Sequence, residues 1–406
     1  MRQPASTRDI LMTCSLAGGA GGVQLVFEDL IRWFERSGRH VHVIYPAPLA
    51  TLRPREQPDA SGRPAIYMPL PGLVRENPFV SVPLLLAFMP LAVLRVWRLL
   101  RQRRIAVVNC HFLDPYFIHL VIAARLHGAR AVVSVHGADL DRYPAAGWST
   151  RLLLRLVMKG AHDVVACSSA LARQAAELFP EARGKVTFVH NAIDPERYVP
   201  LPEQIEHTAG LPTPFVLCVC RHVRKKGVDT LLHAFSSMLT TLPDVTLVLV
   251  GDGPLLAEHQ ALAARLGIMH RVRFLGELDH TRVAPLFARC ALYVLPSRIE
   301  PFGIVLLEAG YYARPIVATR VGGVPEIITD QVDGLLVEPD DPPALARQMT
   351  ALLRDPARGE RYGRRARETV IRRFLWKDRS AAYLDVFDGR GNTGLGAEAA
   401  TPALSV

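Results

Sequence analysis

Two hydrophobic periods alternate along this chain. Short apolar runs at Ile10 to Leu16, Val41 to Tyr45, Ile105 to Asn109, Ala131 to Val135, Asp163 to Ser168 and Val186 to Val189 have the length and β-branched content of buried strands. Between them apolar residues recur at helical spacing, as at Val23, Phe27, Leu30, Ile31 and Phe34. After a break the alternation resumes, with strands at Phe215 to Val219, Val245 to Val250, Val272 to Gly276, Ala291 to Leu295 and Pro315 to Thr319. Strands that alternate with helices build parallel sheets, so the pattern predicts an α/β protein of two similar β/α/β halves.

Several stretches leave that pattern. Pro46 to Asn77 is rich in Pro and Arg and reads as an irregular excursion, and Pro195 to Pro214 has several prolines and little periodicity, as a linker should. Phe79 to Leu94 is uncharged and apolar, is interrupted by Pro83 and Pro90, and leads into a segment with Arg95, Arg98 and Arg101 on one helical face and Val93, Val96, Trp97 and Leu100 on another. Such a helix suits either the flank of a sheet, with its arginines in water, or the surface of an anionic membrane. A spanning helix needs roughly 20 apolar residues, and this run is shorter. Asp355 to Asp388 is charged and helical, with Phe374, Leu375, Trp376, Tyr383 and Leu384 as apolar anchors, while Gly389 to Val406 reads as a disordered tail.

A length of 406 residues, with 50% hydrophobic and 21% charged, suits two globular domains. The net charge of +10 calls for an anionic partner. No aromatic-basic strand motif or recognition-helix pattern accompanies it, so a nucleic acid is disfavoured relative to a nucleotide substrate or an acidic membrane. Cys14, Cys110, Cys167, Cys218, Cys220 and Cys290 form no C-x-x-C pair and no zinc spacing, which predicts reduced, buried thiols, a cytoplasmic protein and no metal site. Asp9 interrupts the N-terminal basic stretch, so the first apolar run reads as a strand, not a signal peptide.

Candidate chemistry falls at four places. Gly18 to Gly22 lie between the first strand and its helix, where glycines let a backbone approach an anion. The dinucleotide fingerprint is incomplete there, and no acidic residue ends the next strand, which disfavours nicotinamide. His111 and His136 each follow a strand, at the sheet edge where open α/β sheets bind ligands. Arg221 and Lys226, beside Gly227 and ahead of a helix, could clamp a diphosphate, although a solvated basic turn would look the same. Glu300 follows an apolar strand, and Glu308 lies within an apolar helix eight residues on, a rise of at most roughly 12 Å. The amides of Phe302, Gly303 and Ile304 would start that helix and face an anion. A carboxylate buried as Glu308 would be should meet a ligand or a cation.

These motifs, in this order and over nearly the whole chain, resemble the family 4 retaining glycosyltransferases. The resemblance implies the GT-B fold, two Rossmann-like β/α/β domains whose parallel sheets face a central cleft. Residues 1–197 would be the acceptor-binding domain, 198–214 the linker, 215–370 the nucleotide-sugar domain, 371–388 a helix crossing back, and 389–406 the tail. It further implies that a sugar moves, with retained configuration, from a nucleotide-diphosphate sugar to a saccharide or lipid-linked acceptor, without a cofactor. By resemblance His136 and Glu300 contact the donor sugar as the catalytic pair, and Gly21 and Gly22 face the donor phosphates. Arg221 and Lys226 neutralise the diphosphate, Gly276 borders the base, and Glu308 binds the ribose. His111 and Asp139 are acceptor-side candidates, with helix capping the alternative for Asp139. Ala192, Cys220 and Ala313 stand where the family usually has glycine. A nucleotide-sugar epimerase, a synthase on a soluble sugar, or a non-catalytic subunit bound to membrane are the rival readings.

Overall fold

The computed structural model describes residues 9–15, 22–47, 53–71, 78–198 and 210–390, with only the backbone of 78–81 described. Gly21, the linker residues 199–209 and the tail from 391 onward lie outside these residues. The chain forms two compact units, one of residues 1–190 with 376–406, the other of residues 191–375.

The first unit is built on an eight-stranded sheet. Its strands are β1 (Asp9–Cys14), β2 (Val41–Ala47), β3 (Arg55–Pro58), β4 (Pro64–Pro69), β5 (Ile105–His111), β6 (Arg130–Val135), β7 (Asp163–Ala166) and β8 (Val186–Phe188), in the order β3-β4-β2-β1-β5-β6-β7-β8. All neighbours are parallel except β3 against β4. The excursion expected at 46–77 therefore contains ordered edge strands. Ile66 and Met68 turn inward from β4, which lies parallel to β2, while the exposed β3 keeps Pro58 at its end, where the loss of an N–H is tolerated on an edge.

Pro83 and Pro90 do not break the apolar stretch, which forms one helix over Pro78–Gln102. The two prolines are seven residues apart, share an exposed face, and so free carbonyls toward water rather than toward the core. The expected length limit accordingly falls away, since Val82–Gln102 has 21 residues and enough apolar character to cross a membrane by length and composition. It nevertheless carries three arginines, and its C-terminal half buries Val96, Leu99 and Leu100 within the unit.

The second unit holds six parallel strands, β9 (Phe215–Val219), β10 (Thr246–Val250), β11 (Val272–Phe274), β12 (Leu292–Leu295), β13 (Ile316–Thr319) and β14 (Leu335–Val337), in the order β11-β10-β9-β12-β13-β14. These strands are apolar on both faces because helices cover both, and Phe235, Met238, Leu345 and Met349 close one of the cores. Residues 191–198 belong to this unit rather than to the first. Ala192 and Ile193 are fully buried, Ile193 N–H donates to Phe374 O at 3.0 Å, and Ile193 bridges Leu375. The expected crossing helix, 371–388, divides at this bridge. Helix Pro356–Arg373 stays in the second unit, whereas Trp376–Phe387 returns to the first, where Tyr383 and Phe387 pack on Phe34 at ring separations of 6.3 and 5.3 Å.

Candidate active site

Each parallel sheet has a point where the strand order turns back, and the carboxyl ends beside it form a crevice that can take ligand. In the second unit the reversal lies between β9 and β12. The loop after β9 carries Arg221 and Lys226, and the loop after β12 carries Glu300, so neighbouring strands deliver residues far apart in sequence to one place. Lys226 Nζ lies 2.6 Å from Glu300 Oε2, and Ser297 Oγ donates to the same oxygen at 3.2 Å. Burial alone would lower the Lys226 ammonium, but Glu300 outweighs it and the pKa is raised, so the lysine stays charged. Arg221 is exposed, with no side-chain partner among the described residues.

Two glycines let these loops close on each other. Gly227 has φ of 63°, and a Cβ there would lie 2.1 Å from the Pro296 carbonyl oxygen. At Gly322, φ 50°, a Cβ would meet the Glu300 carbonyl oxygen at 2.0 Å. The adjacent Gly323 N–H donates to that same oxygen at 3.1 Å and so fixes the Glu300 backbone from the β13 side. Only a residue without a Cβ fits at either position.

Gly303, with φ 101°, caps the helix Ile304–Tyr311, and Phe302 is buried beside it against Phe374. The helix N-terminus thus follows Glu300 directly, as the sequence implied, and its first amides are donors beyond the helix's own ladder. Glu308 lies on this helix with 6% of its surface exposed. Its partner is one that the sequence did not reveal. Tyr198 Oη donates to Glu308 Oε1 at 3.2 Å, and His280 Nε2 stands 3.8 Å from that oxygen. Burial pushes the Glu308 carboxyl up to about 7, with the Tyr198 hydrogen bond opposing the shift. The His280 and Tyr198 rings meet edge to face at 4.6 Å, and burial lowers the His280 imidazole. Tyr198 lies in the stretch read as linker, and His280 follows the Asp279 N-cap. Only the buried environment of Glu308 hinted that such partners exist. Gly276, with φ 68°, ends the β11 loop and accepts from Gly251 N–H at 2.7 Å.

In the first unit the reversal lies at β1, between β2 and β5. Gly22 is exposed and begins the helix Gly22–Arg36, which leads away from β1. His111 ends β5 and His136 follows β6, and their rings are joined, with His111 Nδ1 3.1 Å from His136 Nε2. His111, the acceptor-side candidate, lies deep within the unit. It is 0% exposed, covered by Phe27, and both its ring nitrogens are taken up, the second by Asn109 Nδ2 at 2.9 Å. Asp139, the other acceptor-side candidate, is buried as well. Its carboxylate accepts from the backbone N–H of Leu113, His136, Gly137 and Leu140 at 2.7–3.1 Å, the capping role. Burial pushes its carboxyl up against the pull of those amides. His136 is 6% exposed, and burial lowers its imidazole to about 4.

The substituted glycines are accommodated. Ala313 takes a left-handed φ of 54°, and Cys220 is half-buried with its Sγ 3.8 Å from that of Cys218. All six cysteines are free, and all but Cys220 are buried.

The family model for glycosyl transferases group 1 matches residues 203–369, and that for glycosyltransferase family 4 matches residues 20–197. Among curated relatives, a glycogen synthase of Mycobacterium tuberculosis is 30% identical over 71% of this chain and 69% of its own length. A GDP-mannose-dependent alpha-(1-6)-phosphatidylinositol monomannoside mannosyltransferase of Mycolicibacterium smegmatis is 28% identical over 74% of this chain and 81% of its own. Among solved structures, HepE of Anabaena in complex with UDP superposes with a TM-score of 0.73 at 22% identity, covering 94% of this chain and all of that one.

Proposed function

This chain belongs to the family 4, group 1 glycosyltransferases of GT-B fold, and we propose that it moves a hexosyl group, with retention, from a nucleoside-diphosphate sugar to a lipid-linked saccharide. The observation that carries the donor side of this reading is the Lys226–Glu300 pair directly ahead of the helix that bears Glu308. As the bond to the anomeric carbon breaks, negative charge grows on the departing diphosphate. Lys226, Arg221 and the first amides of helix Ile304–Tyr311 are cationic or partly positive groups held there beforehand, which lowers the barrier electrostatically with no metal required. Glu300 orients Lys226 and accepts from the donor sugar's hydroxyls. Glu308, when ionised, accepts from the ribose diol, and Gly276 borders the base. By the family resemblance His136 contributes a neutral imidazole to the donor sugar, and Gly21 and Gly22 belong to the phosphate-facing loop.

The acceptor side rests on the helix Pro78–Gln102. Leu84, Leu86, Phe88, Leu91 and Leu94 are exposed on it, Leu86 at 57%, and Arg98, Arg101, Arg103 and Arg104 are exposed at its far end. Apolar side chains beside cations suit an anionic lipid surface, which would hold the enzyme at the cytoplasmic face of the membrane near a lipid-borne saccharide. The mannosyltransferase relative is itself named for a phosphatidylinositol-linked acceptor.

A panel of UDP-, GDP- and ADP-sugars tests the reading through release of free nucleoside diphosphate, with and without extracted membrane lipid. Release from one donor, stimulated by lipid, is the expected result, and Glu300→Ala should lower that turnover by about 10²- to 10³-fold. Donor conversion with no acceptor product would favour an epimerase instead.

A further inference from the structure

His136 is the last link of a chain of buried polar side chains within the first unit. The chain begins at Ser134 on β6, whose side chain is fully buried. Ser134 Oγ donates to Asn109 Oδ1 at 3.0 Å. The Asn109 amide then faces His111 with its NH₂, Nδ2 lying 2.9 Å from His111 Nε2. An amide NH₂ can only donate, so His111 Nε2 must accept and the neutral ring carries its proton on Nδ1. That N–H points at His136 Nε2, 3.1 Å away. The ring centroids are 5.3 Å apart and the planes differ by 21°, so the two imidazoles meet edge to edge in nearly one plane, as a ring-to-ring hydrogen bond requires. His136 Nε2 is thereby the acceptor, and its single proton is left on Nδ1. Nδ1 is buried and has no hydrogen-bond partner among the described residues.

We propose that this one-directional chain, Ser134 to Asn109 to His111 to His136, fixes His136 in the Nδ1–H tautomer, so that its imidazole meets the donor sugar as a hydrogen-bond donor, with Asn109 and His111 as positioning residues. An unconstrained neutral histidine favours the proton on Nε2, so the chain reverses the default. Burial keeps both rings neutral at pH 7, His111 well below the ordinary histidine range and His136 at about 4, which preserves the donor-acceptor order that protonation would scramble. A buried N–H without a partner is costly, and a sugar hydroxyl or ring oxygen would satisfy it. The nature of the ligand rests on the glycosyl-transfer reading, whereas the tautomer does not.

The test is a long-range proton–nitrogen correlation spectrum of the full-length protein labelled with ¹⁵N-histidine at pH 7.5, the His136 signals being those that His136→Gln removes. The expected spectrum has His136 protonated at Nδ1 and bare at Nε2. Asn109→Asp is nearly isosteric and replaces a donor with an acceptor. His111 should then carry its proton on Nε2, and His136 should donate from Nε2 and present a bare Nδ1, with kcat/KM for the donor falling about 10- to 100-fold. Wild-type His136 protonated at Nε2 would overturn the proposal even if the variant fails to fold, and so would a folded Asn109→Asp protein with an unchanged His136 tautomer. Absence of donor turnover in wild type would instead count against glycosyl transfer, with the spectra still deciding the tautomer.

Discussion

Glu308 shows how one buried side chain can tie ligand affinity to pH. Its carboxyl is raised to about 7 from 4.5 by burial, and the groups that face it are the Tyr198 hydroxyl, the His280 imidazole and the phenols of Tyr293 and Tyr312, none of them a cation at neutral pH. Because the folded-state pKa is raised, ionisation costs stability as pH rises from about 4.5 through about 7. A ribose diol that donates to the ionised form gains a charge-assisted bond, so donor affinity should increase as pH rises from 6 to 8, a window in which the diphosphate of an intact nucleotide sugar does not titrate. Calorimetric titration of the donor should show this rise in wild type and a flat, weaker profile in Glu308→Gln, by about 10- to 100-fold at pH 8. Tyr198→Phe removes the bond that holds the carboxyl down and should move the midpoint upward. A pH-independent affinity in wild type would remove Glu308 from the nucleotide site. The carboxylate itself was legible from its apolar setting in the sequence. Its phenolic partner was not, because a residue in an aperiodic, proline-bordered stretch gives no sign of what it packs against.

Among the elements, the helix Pro78–Gln102 departs most from its sequence. Two prolines suggested interruption, yet both fall on the exposed face and the helix runs through them. Leu85, Ala92, Val96, Leu99 and Leu100 lie inside, while Leu84, Leu86, Leu91 and Leu94 lie outside. If anionic lipid covers those exposed leucines, the double variant Leu86→Glu, Leu91→Glu should weaken flotation with anionic vesicles by about 100-fold, from the lost burial of two leucines, and salt should weaken binding in wild type. Binding unaffected by the double variant would dismiss this helix as the contact. The central strands were readable because strands covered on both faces are continuous apolar runs, as at Thr246–Val250. The edge pair β3 and β4 was not, since Pro and Arg mask a strand that needs only one buried face.

Across the whole molecule, each sheet brings candidate residues to a reversal of strand order, at β1 in one and between β9 and β12 in the other. The order of motifs was enough to foresee both sheets, whereas the contact of Lys226 with Glu300 was not foreseen. The boundaries were less legible. Residues 191–198 hold Pro195, at the start of the proline-bearing stretch, but join the second unit through Ile193 and Tyr198, contacts that local composition does not encode. Transfer with retention at the Lys226–Glu300 donor site is read out by the configuration of the new glycosidic bond. Proton NMR of the product formed from the accepted donor, recorded before any anomeric equilibration, should show the donor's own anomeric configuration, with Lys226→Met abolishing product. An inverted anomer formed by the wild-type enzyme would rule out transfer with retention.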